Sequence, residues 1–321
     1  MIKHSISIKI VVVLLLAGFL FASFWGCYEE EYPGRPTVAL VVKTLNNPFF
    51  NNMQEGAEMM ADSLELNLIV QAAEREVDVE KQVQIVENLI QRRVDVILLT
   101  PSGSREVVPV IGRANDASIP IVNLDTRVDM DLLESDGSQI STFIGSDNFE
   151  GGRIAGQYVA EQLNGSGQVA ILEGIPGHET ADSRQSGFLE ALSEFPGIEV
   201  VASQTANWER NMGYNVFENI LQTYSDLDAV FAANDLMALG AVEAMAANGF
   251  SQDDILVVGF DAHEEAVQAI REGRMDATIA QNPYEIGKAG VEYAYRVING
   301  EDIPDDITIE IELVTSETLE N

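Results

Sequence analysis

TVALVVKTLNNPFF, residues 37–50, begins as an apolar and largely β-branched run, passes through Lys43 and ends in Asn47 and Pro48. Such a run reads as a strand buried on both faces, which is the habit of parallel sheets. Asn47 is suited to cap a helix whose first turn Pro48 presets, because the fixed φ of proline is already helical and its missing N–H is not needed there. The stretch therefore predicts a βα unit with a polar residue at the carboxyl end of its strand. The unit recurs downstream. Residues 66–71, 94–99 and 119–124 read as further strands, and Val79, Val83, Val86 and Ile90 form an apolar helical stripe between two of them. A second series at 168–172, 198–203, 229–232, 255–258 and 277–280 alternates with helices such as 235–248, which Gly249 terminates. Two series of this kind predict an α/β fold of two doubly wound parallel-sheet domains. Asn47, Asp125, Asn234, Asp261 and Gln281 all follow strand-like runs, and ligands of open parallel sheets bind beyond the carboxyl ends of the strands. The five are expected to converge on one cleft.

Upstream of the first strand the chain changes character. Lys3 and Lys9 precede an apolar stretch at 10–24 that is too short and wrongly flanked for a spanning helix, so 1–26 reads as a secretory signal peptide. It ends in Phe24, Trp25, Gly26 and then Cys27, the sole cysteine, so an intramolecular disulfide is excluded and metal–thiolate chemistry is a poor fit. Residues 27–36, acidic and bounded by prolines, read as a flexible tether. The 321-residue chain has 18 Lys and Arg against 52 Asp and Glu, a net charge of -34, and loss of the signal removes two more lysines. A field of that sign repels nucleic acid and anionic headgroups, so neither is an expected partner. It fits either a surface adapted to high salt or one that keeps a secreted protein soluble.

Taken singly, each strand-end residue is equally a turn former or a helix cap. Their aromatic company argues for more. Phe49 and Phe50 follow Asn47, Trp208 lies past the strand ending near Ser203, and Phe260 precedes Asp261. Aromatic walls with polar groups between them suit a ligand that has apolar C–H faces and polar edges, as sugars do. Vicinal hydroxyls donate to carboxylates while accepting from Lys, Arg or amides. Lys43 and Arg184 set against Asp125 and Asp261 would make a near-neutral pocket, better matched to a neutral polyol than to an anion. Lys43 can equally snorkel from a strand end, and Arg184 can lie on the surface of a helix starting near Ala181.

The segments VVKTLNNPFF (41–50), VNLDTRVDMD (122–131), VVASQTANWER (200–210), VFAANDLMALGA (230–241), LVVGFDA (256–262) and DATIAQNP (276–283) look like those of the periplasmic sugar-binding proteins of ABC transporters. The ribose- and D-allose-binding type is the most similar, and the resemblance runs over 37–315. It implies that Lys43, Asn47, Phe49, Phe50, Asp125, Arg184, Trp208, Asn234, Phe260, Asp261 and Gln281 contact the sugar. The ribose type has an arginine directly after the aspartate that matches Asp125. Here Thr126 stands in that place and Arg127 follows, so Thr126 and Phe50 are the positions where specificity can depart from either relative. Lys43, Trp208 and the VDMD run lean toward the allose type.

The resemblance also implies three crossovers, near Ser146, Asn282 and Glu310. One lobe would then be 37–146 plus 282–310 and the other 147–281 plus 311–321, joined by a three-segment hinge. The Gly26-Cys27 junction resembles the lipobox of bacterial lipoproteins, in which the cysteine is acylated, although Phe24 and Trp25 depart from its small or aliphatic residues; an uncleaved anchor with an ordinary cysteine is the alternative. Taken together, the resemblance implies a monomeric, lipid-anchored receptor in the periplasm or at the outer face of the cytoplasmic membrane. It would capture a neutral allose- or ribose-like monosaccharide by hinge closure and deliver it to ABC permease subunits, with no cofactor and no metal. A sugar sensor that presents its closed form to a chemoreceptor or sensor kinase is the other reading.

An enzyme is poorly provided for. His4 falls in the signal, and His178 and His263 lie in loop segments beside acidic residues, without HExxH spacing, where they are expected to be solvated. Neither a GxSxG elbow nor a GxxxxGK[ST] loop occurs. Gly165, Gly167 and Ala170 spell GxGxxA, but they precede a strand instead of following one and read as a turn. A regulator of the lac-repressor type would carry a helix-turn-helix where this chain has its signal.

Overall fold

The structure is a computed structural model and describes residues 33–320. The signal and lipidation readings on 1–32, Cys27 among them, lie outside the described residues.

The first series forms β1 (Thr37–Thr44), α1 (Pro48–Ser63), β2 (Asn67–Ala73), α2 (Val79–Arg92), β3 (Val96–Leu99), α3 (Val108–Asp116), β4 (Ile121–Leu124), α4 (Met130–Asp136) and β5 (Thr142–Ser146). The second forms α5 (Asn148–Gln162), β6 (Ser166–Glu173), α6 (Glu179–Leu192), β7 (Gly197–Thr205), α7 (Arg210–Thr223), β8 (Ala229–Ala232), α8 (Asp235–Ala247), β9 (Leu256–Asp261), α9 (Glu264–Arg271) and β10 (Ala277–Ala280). There follow α10 (Pro283–Ile298), β11 (Asp306–Ile309), β12 (Glu312–Thr315) and α11 (Ser316–Glu320).

Two six-stranded sheets result, ordered β11-β5-β4-β3-β1-β2 and β12-β10-β9-β8-β6-β7. Their strands pair in parallel except where β12 runs against β10. This is the doubly wound α/β class that the alternating runs predict. The central strands are apolar throughout because helices cover both faces of each sheet. On the first sheet one layer is filled by Ile85, Leu89 and Ile111 and the other by Met53, Ile286 and Val291. On the second, Phe217 and Met237 fill one layer, and the Phe188 and Phe231 rings stack 4.4 Å apart in the other.

The chain passes between the sheets three times, after Ser146, after Ala280 and between Ile309 and Glu312. α10 packs on α1, β3, β4 and β5, with the first sheet. The Ser146 hydroxyl donates to the Gln281 carbonyl at 3.3 Å and ties two of these passages together.

The sequence reading passes over β5, β11 and β12. β11 and β12 lie at sheet edges and are only partly buried, so polar and apolar residues mix in them and no continuous apolar run forms. β5 is interior but short, and its Thr142, Gly145 and Ser146 interrupt the pattern. Elsewhere the local signals are realised. The Asn47 side chain caps α1 by accepting from the Phe49 N–H at 3.0 Å, and Asn164 and Gly165 turn the chain into β6 with φ of 51° and 76°.

β1 lies between β2 and β3, and β6 between β7 and β8, so the strand order reverses at equivalent points of both sheets. Loops leaving such a reversal run in opposite directions and open a crevice at the carboxyl ends of the strands. Residues from the two crevices line one cavity.

Candidate functional site

Lys43 is the last residue but one of β1, within its buried run, and is 3 % exposed. A lone ammonium at that depth would be strongly penalised, and it is compensated twice: its Nζ donates to Thr126 Oγ1 at 2.7 Å and pairs with Asp125 Oδ2 at 3.3 Å. Thr126 passes the arrangement on, its hydroxyl donating to Asp125 Oδ2 at 3.0 Å. Asp125 leaves β4 with φ of 61°, a left-handed conformation that Asp tolerates better than most residues and that turns the chain sharply at the strand end. The snorkelling alternative for Lys43 is thereby excluded.

The opposite wall repeats the plan. Arg184, on α6 and 4 % exposed, donates through Nε to Asn148 Oδ1 at 2.8 Å and through Nη1 to the Ala233 carbonyl at 2.6 Å, and Nη1 lies 3.5 Å from Asp261 Oδ1. Its guanidinium sits 3.8 Å over the Phe260 ring and 5.5 Å from Trp208, a cation–π arrangement in a desolvated setting. Arg184 is therefore no surface residue. Close packing of α6 on α5 sets its position, since a Cβ on Gly152 would fall 2.0 Å from the Arg184 carbonyl oxygen. Gln281, at the end of β10, donates to Asp261 Oδ1 at 2.6 Å.

Phe49 and Phe50 meet edge to face at 5.3 Å and, with Trp208, supply the aromatic walls. Asn234 caps α8 by accepting from the Met237 N–H at 2.9 Å, and its amide donates to the Trp208 carbonyl at 3.2 Å. The Asn47 amide donates to Glu76 Oε1 at 2.9 Å.

Of the residues expected from sequence, Lys43, Asn47, Phe49, Phe50, Asp125, Arg184, Trp208, Asn234, Asp261 and Gln281 line the cavity. Thr126 and Phe260 stand behind it, the first holding Lys43 and the second lying under Arg184. Two lining residues, Glu76 and Thr180, are not found by the sequence reading. Glu76 sits in the loop after β2 in a run of three charged residues, and nothing in the pattern separates it from Glu74 or Arg75. Thr180 is in the first turn of α6, where a hydroxyl residue usually signifies a helix start and nothing more.

Glu76 changes the charge balance. Lys43 and Arg184 face three carboxylates instead of two. Burial raises the Glu76 carboxyl against the opposing pull of Lys43 and Asn47, although the residue as a whole is partly exposed. Burial likewise pushes Asp261 up to about 7, against Arg184 and Gln281. Both shifts favour the neutral acid, the direction that offsets the additional carboxylate. Arg184 is lowered by its own burial and supported by Asp261.

The two histidines are a correction to the sequence reading. His178 and His263 are each 4 % exposed, not solvated. His178 stands at the amino end of α6, and burial, with Lys43 of the first lobe adding to it, pushes it down to about 3. Burial takes His263, whose Nε2 lies 3.5 Å from Asp261 Oδ2, down to about 4. Both are neutral at pH 7, and neither is poised there as a general acid or base.

Three buried polar atoms of the cavity residues have no hydrogen-bond partner among the described residues: Trp208 Nε1, Gln281 Oε1 and Thr180 Oγ1. One is a donor, one an acceptor, and the hydroxyl is both. With the two charge pairs between aromatic walls, they make a site for a small neutral molecule rich in hydroxyls.

Residues 38–302 match the periplasmic binding protein domain family. The ribose import binding protein of Escherichia coli is 38% identical over 283 residues, covering 88% of this chain and 92% of that protein. The D-allose-binding periplasmic protein of the same organism is 36% identical over 280 residues, 87% of this chain and 90% of that protein. A solved ABC transporter periplasmic solute binding protein from Actinobacillus succinogenes, with bound D-allose, superimposes with a TM-score of 0.85 at 40% identity, covering 89% of this chain and 99% of that one.

Proposed function

The chain belongs to the periplasmic binding protein domain family, and from that premise we propose that it captures a neutral monosaccharide of the allose or ribose kind and delivers it to an ABC importer. The observation that carries the reading is the pair of buried charge couples, Lys43 with Asp125 and Arg184 with Asp261, set from opposite lobes into one aromatic-walled cavity. Lys43, Asn47, Asp125, Arg184, Asn234, Asp261 and Gln281 take the sugar hydroxyls; Phe49, Phe50 and Trp208 take its C–H faces; Thr126 and Phe260 hold two of these groups in place. A charge-assisted hydrogen bond to a sugar hydroxyl is worth on the order of 1.5 to 3 kcal/mol. Arg184→Ala therefore weakens binding by roughly ten-fold to several hundred-fold. Calorimetric titration of parent and variant with D-allose and D-ribose tests this, and an Arg184→Ala protein that is folded and binds like its parent refutes the site.

The lobes are 37–146 plus 282–310 and 147–281 plus 311–321, and they close on the sugar about the three connecting passages. The mature protein begins at an acylated Cys27 and is held at the membrane by that lipid alone. Intact-mass measurement of membrane-extracted protein is expected to give residues 27–321 plus lipid; an unmodified Cys27 rules the anchor out.

A further inference from the structure

Thr180 Oγ1 is a buried hydroxyl, on a residue 2 % exposed, that lines the sugar cavity without a hydrogen-bond partner in the protein. A threonine in the first turn of a helix ordinarily spends its hydroxyl on a local backbone group. This one does not, and the segment around it is fixed from outside. The Glu179 N–H donates to Ser104 Oγ of the first lobe at 3.2 Å. A contact across the cleft thus holds the first turn of α6 over the cavity and leaves the Thr180 hydroxyl to whatever fills it.

Its chemistry narrows what that is. Trp208 Nε1 only donates and Gln281 Oε1 only accepts, whereas a threonine hydroxyl does either and carries no charge. It complements a hydroxyl, and its branched Cβ fixes its direction. We propose that Thr180 is a specificity-determining residue, exchanging a hydrogen bond with one ring hydroxyl of the bound monosaccharide and discriminating against sugars that lack or invert it. This rests on the monosaccharide reading above and adds the residue that selects among such sugars.

The test is a double-mutant cycle by calorimetric titration, using the tighter-binding of D-allose and D-ribose together with the monodeoxy derivatives of that sugar. Thr180→Val, which keeps the shape and removes the hydroxyl, is expected to weaken binding of the parent sugar about 3- to 12-fold, the worth of one net hydrogen bond. One monodeoxy sugar should bind the unmodified protein more weakly by a similar factor and lose nothing further on Thr180→Val. Every other derivative should lose the full factor, and Thr180→Ser should recover binding to within about three-fold of the parent. If Thr180→Val is poorly folded, Thr180→Ala carries the same cycle. Binding within two-fold of the parent, or an equal loss for every deoxy sugar, overturns the assignment and leaves the monosaccharide reading standing. An unmodified protein that binds neither sugar overturns the monosaccharide reading, and this assignment with it.

Discussion

Asp261 is held between two opposing demands. Burial pushes its carboxyl toward the neutral form and up to about 7, while Arg184 and the Gln281 amide favour the carboxylate. A sugar hydroxyl donating to the carboxylate adds to the second group and draws the proton off, because hydrogen bonds to the charged form lower the pKa. Binding near pH 6.5 should therefore release protons, and affinity should rise with pH until about 7 and flatten above it. Calorimetry in buffers of different ionisation enthalpy measures the protons directly, and Asp261→Asn should abolish their release; proton uptake by the unmodified protein would contradict the assignment. The ligand-free protein follows the linked sign. The native value is raised from 3.8, so the stability Asp261 contributes when protonated is full below that and is lost as pH rises through about 7. His178 and His263 act oppositely. Their native values are lowered from 6.5 to about 3 and about 4, so their share of stability is full above 6.5 and is lost as pH falls toward those values. Asp125, Asp261 and Gln281 were legible because a polar residue directly behind a buried strand has few places to go. Thr180 and His178 were not, because they lie where α6 meets Ser104 and Lys43 of the first lobe, and neither were His263, which packs against Asp235 and Asp261, nor Glu76, held by the Asn47 amide; no local spacing encodes these contacts.

At the scale of elements, the turn out of β6 depends on Gly174. A Cβ there would fall 2.0 Å from Trp208 Cζ2, so the indole occupies the space that any side chain at 174 would need. Trp208 has little freedom to move aside. Its backbone and that of Asn207 are left-handed, with φ of 67° and 53°, and Asn234 holds its carbonyl. Gly174→Ala is expected to fold, since the ends of β6 and α6 are otherwise untouched, but to displace the indole and weaken sugar binding by at least about ten-fold, a loss of 1.4 kcal/mol or more. The chain has two tryptophans, and Trp25 precedes Cys27, so in a protein starting at Cys27 the tryptophan fluorescence reports Trp208 alone. A shifted emission together with weakened binding is the expected pair of results; parent-like emission and affinity would show that the indole does not need that space. The same scale shows where reading by pattern succeeds. Strands covered on both faces, such as β1 and β8, announce themselves by composition, whereas β11 and β12 at the edges carry acidic residues and resemble loops until their partners are seen.

Across the whole molecule, the two sheets are joined by three passages of the chain, and the groups from their two crevices meet in one cavity. A site divided in this way binds fully only when both halves are in contact with the ligand, so occupancy and closure are coupled. Small-angle scattering with D-allose or D-ribose, whichever binds, is expected to give a smaller radius of gyration than without it; an unchanged value at saturating sugar would argue against a closing receptor. The order of those passages also bears on how the protein is made. α10 and β11 complete the first sheet and its helical cover, yet they follow the whole second series along the chain. During synthesis the half that emerges first is therefore the one that must wait, lacking an outer strand and a packed helix until nearly the last residues appear. For the exported receptor proposed above that delay would be useful, because a chain unable to complete its first half early remains extended enough to be threaded through a narrow export channel before it settles.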